Sequence, residues 1–372
     1  MIIGIVGKPN VGKTTFFKAL TLMDAQVANY PFTTIEPNKG VGFVRNACVD
    51  TFFNTQCNPR YGYCKEHVRF IPVDIIDVAG LVPGASEGRG LGNKFLTDLY
   101  QAEALIQVVD VSGSTDEEGR TVAIGSYDPS NEISFLLREI ESWLLGIFKK
   151  NFEKLAREQQ VRKTKTLTTL LSFMGGMGIP ENILDLTLKE LNLQETEIIN
   201  WTDEQLLLFT KKIRAKTKPI VIAANKLDLE GGKERLEKLK ERFPELTIVG
   251  CSAESELALK TAEKNLIINY LPGGKDFKII KEEIPEKQRK ALDFIKTNVL
   301  DKFGSTGVQE LLDCCVFDVL KYIAIYPGGT KSLKDKNGNV LPDCFLMPPG
   351  STTLDFAYKL HTDFGDNFIK AI

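Results

Sequence analysis

The chain has 372 residues and a mass of 41.5 kDa, enough for two or three domains with cores of their own. Lys plus Arg number 47 against 49 Asp plus Glu, so the molecule as a whole is no polyanion binder and any basic surface has to be local. Seven cysteines, an odd number, with no secretory signal and no apolar run near the ~20 residues of a bilayer span, argue against a secreted disulfide scaffold and a membrane protein. Met1-Ile2-Ile3 leads straight into a strand, which leaves no room for a targeting peptide, and a reducing cytoplasm is the expected location.

The first predicted element is the apolar run Ile2-Ile3-Gly4-Ile5-Val6, a strand, followed by Gly7-Lys8-Pro9-Asn10-Val11-Gly12-Lys13-Thr14 and then a helix beginning Thr14-Thr15-Phe16-Phe17. Glycines at such a strand–loop–helix junction let backbone N–H groups converge on phosphate oxygens, where the helix dipole also favours negative charge. Gly7, Pro9, Asn10, Val11, Gly12, Lys13, Thr14 and Thr15 are therefore the phosphate-binding candidates. Lys13 is expected on the outer phosphates and the Thr14 hydroxyl on magnesium. In Tyr30-Pro31-Phe32-Thr33-Thr34-Ile35, one of Thr33 and Thr34 can complete the magnesium shell when a γ-phosphate is present, and Thr34 is the favoured one. Release of that phosphate would free the segment, an order–disorder switch.

Gly40–Val44 reads as a short edge strand. An excursion follows in which Cys48, Cys57, Cys64 and His67 lie within twenty residues. The four are a candidate tetrahedral zinc shell, set against the simpler reading of cysteines packing as small hydrophobes. Val68–Asp77 is a nearly continuous apolar strand closed by Asp77-Val78-Ala79-Gly80. The carboxylate there can hold magnesium through water, and the Gly80 N–H can approach the γ-phosphate unobstructed.

Ala104–Val111 is another continuous apolar strand, as expected where helices cover both sheet faces. The strand rhythm then lapses, and a helical insertion is predicted. Ile133, Leu136, Leu137, Ile140, Leu144, Ile147, Phe148, Phe152 and Leu155 mark one face of a long helix, broken at Met174–Pro180, with shorter helices over Glu181–Leu191 and Asp203–Ala215. Two stretches here are basic: Lys149, Lys150, Lys154, Arg157, Arg162, Lys163 and Lys165, then Lys211, Lys212, Arg214, Lys216 and Lys218. Each is either a solvated helix face or a footprint for RNA phosphates.

Strands resume at Lys218–Ala224 and Leu246–Ser252. The first delivers Asn225-Lys226-Leu227-Asp228, a base-reading loop, and the second Ser252-Ala253-Glu254, which can offer a backbone N–H to a base carbonyl. The Asp228 carboxylate accepts from two guanine N–H groups, whereas adenine presents an acceptor at N1, so guanine is the expected base. Asn225 is expected to brace the loop and Lys226 to lay its stem along the base. Helices are predicted over Glu286–Phe303 and Gly307–Lys321, then short strands from Tyr322 around the turn Asp335-Lys336-Asn337-Gly338-Asn339. A capping box pairs Thr352 with Asp355.

This ordered set resembles the Obg family of P-loop GTPases, and its YchF-like branch in particular. Tyr30-Pro31-Phe32-Thr33-Thr34-Ile35-Glu36-Pro37-Asn38, Asp77-Val78-Ala79-Gly80-Leu81-Val82-Pro83-Gly84-Ala85 and Glu87-Gly88-Arg89-Gly90-Leu91-Gly92-Asn93 carry the resemblance. Asn337–Asp343 and Ala357–Asp363 look like a TGS domain, the small β-grasp module of that family. The resemblance implies an α/β fold: a P-loop GTPase domain with a mostly parallel sheet in two parts (1–128 and 217–320, the latter with flanking helices), a helical insertion at 129–216, and a C-terminal TGS domain at 321–372. It implies a magnesium-dependent, ribosome-associated or stress-linked switch on GTP and GDP, contacting ribosome or rRNA through the insertion and TGS domain, with the archaeal members the nearest in look. No membrane partner is implied, and a monomer is expected.

Three departures qualify the likeness. ATP-preferring YchF proteins carry Glu where this chain has Asp228; a histidine proposed as catalytic in many members is Ser86 here; and the TGS match stops at Ile372, short of the family's last strands, the mark of a truncated or smaller module. Leu81 stands where many GTPases have a water-orienting glutamine, so slow intrinsic turnover is expected. The resemblance offers Asn10 as a potassium ligand that would supply the missing charge, while Arg89, a switch residue, is either the other cation to hand or, as the favoured reading, plain surface charge. The competing functions are a YchF-type ATPase and an RNA- or ribosome-binding adaptor with a structural nucleotide site. A small-molecule kinase is disfavoured because nothing resembles an acceptor-binding lid.

Overall fold

A computed structural model describes residues 1–22, 38–78, 101–328 and 332–371. The expectations for Thr33, Thr34, Gly80, Leu81 and Arg89 lie outside the described residues. The main sheet has the strand order β2-β4-β1-β5-β6-β7, built from β1 (Ile2–Val6), β2 (Lys39–Ala47), β4 (Val68–Asp77), β5 (Ala104–Asp110), β6 (Ile220–Asn225) and β7 (Thr247–Gly250); β3 (Tyr63–Lys65) pairs with β4. β1 and β5 run parallel, with Ile3 opposite Ala104 and Val6 opposite Gln107. Every residue of β5 and of β6 is buried, as continuous apolar runs require between two helical layers.

The chain divides into two compact units, one of residues 1–13, 76–224 and 230–248, the other of residues 14–75, 225–229 and 249–372. In the first, α2 (Ser130–Arg162), α3 (Thr166–Met174), α4 (Glu181–Glu190) and α5 (Asp203–Thr217) make up the predicted helical insertion and enclose their own core. Phe148 sits at its centre, parallel to Trp201 at 6.2 Å between ring centroids and edge-on to Phe209 at 5.5 Å. Buried Gln159 ties the layers together, donating to Thr166 Oγ1 at 2.9 Å and accepting from the Ile198 N–H at 2.8 Å. The expected break at Met174–Pro180 is present, but α2 already ends at Lys163, whose left-handed φ of 51° no residue type announced.

The second basic stretch is not a free footprint. Glu190 accepts from Lys212 at 2.8 Å and Lys216 at 2.7 Å, Glu141 pairs with Arg214 at 3.3 Å and Lys211 at 3.9 Å, and Lys218 reaches the Ala102 carbonyl. Acidic residues on other helices neutralise it, which no local spacing reveals. In the first stretch Lys149 pairs with Asp203 and Arg162 with Glu158. Lys150, Lys154, Arg157, Lys163 and Lys165 are exposed and form no ion pair among the described residues.

In the second unit β2 is nine residues long rather than the expected five. Its polar end is held by tertiary bonds: Arg45 N–H and Nε donate to the two Asp313 carboxylate oxygens at 2.8 and 2.7 Å. The unit also holds α7 (Ala253–Lys264), α8 (Glu286–Ile295, continuing through a π turn to Phe303) and α9 (Val308–Asp313, continuing through a π turn to Val319). α1 (Lys13–Thr21) lies at the start of the chain and α6 (Gly232–Arg242) between β6 and β7. The strands β8 (Ile268–Tyr270) and β9 (Phe277–Ile279) pair antiparallel, as do β10 (Ile323–Ile325) and β11 (Phe345–Met347) near the C-terminus. Asp335 Oδ1 accepts the Asn337 and Asn339 N–H groups at 2.9 Å each, closing the turn that Gly338 permits with φ of 85°. α10 (Thr353–Leu360) starts with the expected capping box: Asp355 N–H on Thr352 Oγ1, Thr352 N–H on Asp355. No described helix is long and apolar enough to cross a membrane.

Candidate nucleotide-binding site

The candidate phosphate loop lies at the carboxyl edge of β1, the edge where open α/β sheets bind ligands. Gly7 is dictated by a close approach: a Cβ there would fall 2.7 Å from the Val108 carbonyl oxygen of β5. Gly12 has φ of 93°, and Asn10 takes the same left-handed region at 64°, where a short amide side chain is tolerated. Buried Val11 anchors the loop from beneath. Lys13 Nζ is ion-paired with the Asp77 carboxylate at the end of β4 and donates to the Val78 carbonyl at 3.2 Å. The two charged residues singled out for phosphate and magnesium thus face one another. Thr14 is exposed at the helix start with Thr15 half-buried beside it.

A second segment, which sequence reading missed, grips this loop. Asp110, fully buried at the end of β5, accepts from the Ser112 N–H at 3.0 Å, Ser114 Oγ at 2.9 Å and Thr115 Oγ1 at 2.5 Å. That folds residues 112–125 back so that Asn10 Nδ2 donates to the Gly119 carbonyl at 2.8 Å and Lys8 Nζ to the Thr115 carbonyl at 2.9 Å. Lys8 also pairs with Glu132 at 2.7 Å and lies 4.0 Å over the Tyr127 ring. Gly119, with φ of 83°, brings its backbone onto Pro9; a Cβ would meet the proline at 2.9 Å. The available signal was the aspartate followed by hydroxyl residues and glycines, a pattern for side-chain-closed turns.

The candidate base loop begins where β6 stops. Asn225, 3% exposed, accepts the Ala253 N–H at 3.0 Å, and the Leu227 N–H donates to the Cys251 carbonyl at 3.1 Å. Asn225 thereby ties the end of β6 to the start of α7, and Lys226 takes a left-handed φ of 63° to leave the strand. Asp228 is half-buried. Burial pushes the Cys251 thiol up, and the Asp228 carboxylate nearby adds to that. Of the three residues expected to face a base carbonyl, Ser252 gives its N–H to the Thr306 carbonyl at 2.9 Å and Ala253 gives its to Asn225. Glu254, in the first turn of α7, is the one whose N–H those bonds leave for the purpose.

Cys48, Cys57 and Cys64 come together as expected, but the fourth group among them is Asp50 rather than His67; the histidine stands behind it, Nδ1 at 3.1 Å from Asp50 Oδ1. His361 caps the short helix after α10, accepting the Asp363 N–H at 3.1 Å.

A glycine loop cradled by a strand, a helix and a lysine held on a strand-end aspartate, within a sheet of this order, is the construction of P-loop nucleotide-binding proteins. Family profiles agree. Residues 2–139 match the 50S ribosome-binding GTPase profile, 223–328 the G4 motif-containing domain of YGR210-like Obg-like GTPases, and 335–372 the TGS domain. The GTP-binding protein MJ1332 of Methanocaldococcus jannaschii is 47% identical, the alignment covering 100% of this chain and 93% of the relative. The crystal structure of a GTP binding protein from Pyrococcus horikoshii superposes with a TM-score of 0.78 at 37% identity, covering 100% of this chain and 93% of that one. The ribosome-binding ATPase YchF of Bacillus subtilis is 31% identical over 72% of this chain and 70% of its own. The chain belongs to the Obg-like, YchF-related family of P-loop GTP-binding proteins.

Proposed function

We propose that this protein is a magnesium-dependent GTPase switch that acts on the ribosome. The observation that carries the reading is the Asn225 brace, which fixes Lys226-Leu227-Asp228 against the start of α7 and so presents a carboxylate to one purine edge and the Glu254 N–H to its carbonyl. Lys13 would neutralise the outer phosphates on leaving Asp77, and the loop N–H groups from Gly7 to Thr14 would hold the chain of phosphates. Thr14, Asp77 and Thr34 offer only oxygen atoms, the donor set that magnesium takes. Bound there, the ion would neutralise charge developing on the γ-phosphate and the leaving oxygen. The proposal keeps domain limits of 1–128, 129–216, 217–320 and 321–372 for these parts.

Turnover without a partner is expected to be slow, because Leu81 cannot polarise water. Asn10 gives its amide N–H to the Gly119 carbonyl at 2.8 Å, and its Oδ1 would be the atom offered to a cation beside the phosphates. GTP hydrolysis is accordingly expected to run about tenfold or more faster in potassium than in sodium, the gain of a partly neutralised transition state. Equal rates in the two salts, measured at matched ionic strength, would remove potassium and leave Arg89 as the candidate.

The ribosome enters through the relatives named for binding it and through the exposed Lys150, Lys154, Arg157, Lys163 and Lys165 on and just after α2. Such a cluster suits RNA phosphates, with a binding constant that falls steeply with salt. The decisive experiment is steady-state GTP turnover with and without purified ribosomes: stimulation supports the switch, whereas ribosome binding with unchanged turnover supports the adaptor with a structural nucleotide. The ATPase alternative keeps its place because YchF relatives carry that name.

A further inference from the structure

The excursion between β2 and β4 has a peculiar core. Its buried apolar cluster consists of Cys48, Cys57 and Leu341, with only partly buried neighbours around them. Three side chains of that size are a thin core for twenty residues, and small units of this kind are commonly held by a metal instead. Beside them lies Asp50, fully buried. Its Oδ2 accepts the Cys57 N–H at 3.1 Å and its Oδ1 faces His67, which orients a carboxylate among three thiols, a mixed oxygen and sulfur donor set that zinc takes.

The donor atoms of Cys48, Asp50, Cys57 and Cys64 all lie within 4.8 Å of one another. Cys48 Sγ and Cys57 Sγ are 3.4 Å apart, and Cys64 Sγ is 3.8 Å from Asp50 Oδ2. Four ligands around zinc, with Zn–S of about 2.3 Å, put sulfur atoms about 3.8 Å apart, whereas a disulfide needs about 2.05 Å. The spacing suits a shared cation. Backbone geometry delivers the four from separate places: Cys48 precedes the short 3-10 turn Val49–Thr51 after β2 and Asp50 lies within it, Cys57 lies in the loop, and Cys64 is central in β3 opposite Arg69. Outer groups are also in place. His67 Nδ1 holds Asp50 Oδ1 at 3.1 Å, and Arg69 Nη1 stands 3.6 Å from Cys57 Sγ.

We propose that Cys48, Asp50, Cys57 and Cys64 form a closed, structural zinc site that clamps the segment 340–343 of the C-terminal module onto the excursion. Buried Arg69 links the two, donating to the Leu341 carbonyl at 3.0 Å and the Pro342 carbonyl at 2.9 Å. The loop that carries Cys57 adds two backbone bonds, Asn58 N–H to the Val340 carbonyl at 2.8 Å and Arg60 N–H to the Pro342 carbonyl at 2.9 Å. Leu341 itself packs against the cysteines.

Full-length protein purified without chelator is expected to carry about one zinc per chain, the stoichiometry of a single closed site. Replacement by cobalt should give thiolate-to-cobalt charge transfer in the near ultraviolet and the strong visible bands of a tetrahedral ion. Cys64→Ser and Asp50→Ala should each lower metal affinity far more than His67→Ala, which removes only an orienting partner and should cost about 10–100-fold. Stripping the zinc should speed hydrogen exchange at the Asn58 and Arg60 amides, with GTP affinity within about twofold of the loaded protein because no nucleotide-binding residue is a ligand. Zinc-free protein without a cobalt charge-transfer band overturns the site, as does a Cys48–Cys57 disulfide seen by mass spectrometry. His67→Ala losing all metal while Asp50→Ala keeps it overturns the ligand set, and unchanged exchange after stripping overturns the clamp. Should the variants misfold, the cobalt spectrum of the unaltered protein still decides.

Discussion

Asp228→Asn is expected to lower GTP affinity by about 10²–10⁴-fold, because two charge-assisted bonds worth about 1.5–3 kcal/mol each are lost or mismatched. The amide of the variant would point N–H groups at the N–H groups of guanine. Xanthine carries a carbonyl where guanine has its amino group, so the same variant should gain affinity for xanthosine triphosphate. In the unaltered protein the same logic makes GTP bind more tightly than ATP, whose N1 is an acceptor facing an acceptor. Calorimetry with the three nucleotides on both proteins, and with Asp228→Glu as a control for reach, gives the comparison. ATP binding to the unaltered protein as tightly as GTP would transfer it to the ATPase side of its family.

Lys13→Ala is expected to reduce kcat/KM for GTP by at least about 10²–10³-fold, the usual cost of removing one charge-stabilising donor from a phosphoryl or acyl transition state. Lys13 is already directed by the Asp77 carboxylate and the Val78 carbonyl, so the charge is positioned before nucleotide arrives. Arginine should rescue little, since a planar fork cannot occupy the place of a compact ammonium beneath the loop. Asp77→Asn is the informative companion: it removes both the partner of Lys13 and a magnesium-directing charge, so hydrolysis should fall while nucleotide still binds. Single-turnover hydrolysis at varied magnesium reads all three. A Lys13→Ala protein that turns over GTP at the original rate would show that the loop is not where the chemistry occurs.

Motifs whose function depends on contiguous residues were legible along the chain. The phosphate loop, the strand-end Asp77, the base loop and the Thr352–Asp355 cap are local, each needing only a few neighbours in the right order. Features formed by distant partners were not. Nothing near Lys211–Lys216 says that Glu141 and Glu190 neutralise them, and nothing near Pro9 says that Gly119 will press on it. The cysteine cluster shows both sides: the thiols are conspicuous in the sequence, while the buried Asp50 among them is one aspartate of many until the turn after β2 folds it inward.

The sequence by itself determined the type of chemistry and the order of the parts, because glycine, lysine and carboxylate at those spacings have few other physical uses. Tertiary structure decided which charges are free and which are paired. It decided which N–H groups remain for a base, and that residues 112–125 close over the phosphate loop while Arg69 receives the C-terminal module. The reason is that burial and hydrogen-bond partnership are properties of groups brought together across separations of 22 to 273 residues, and a one-dimensional pattern carries the groups without the meeting.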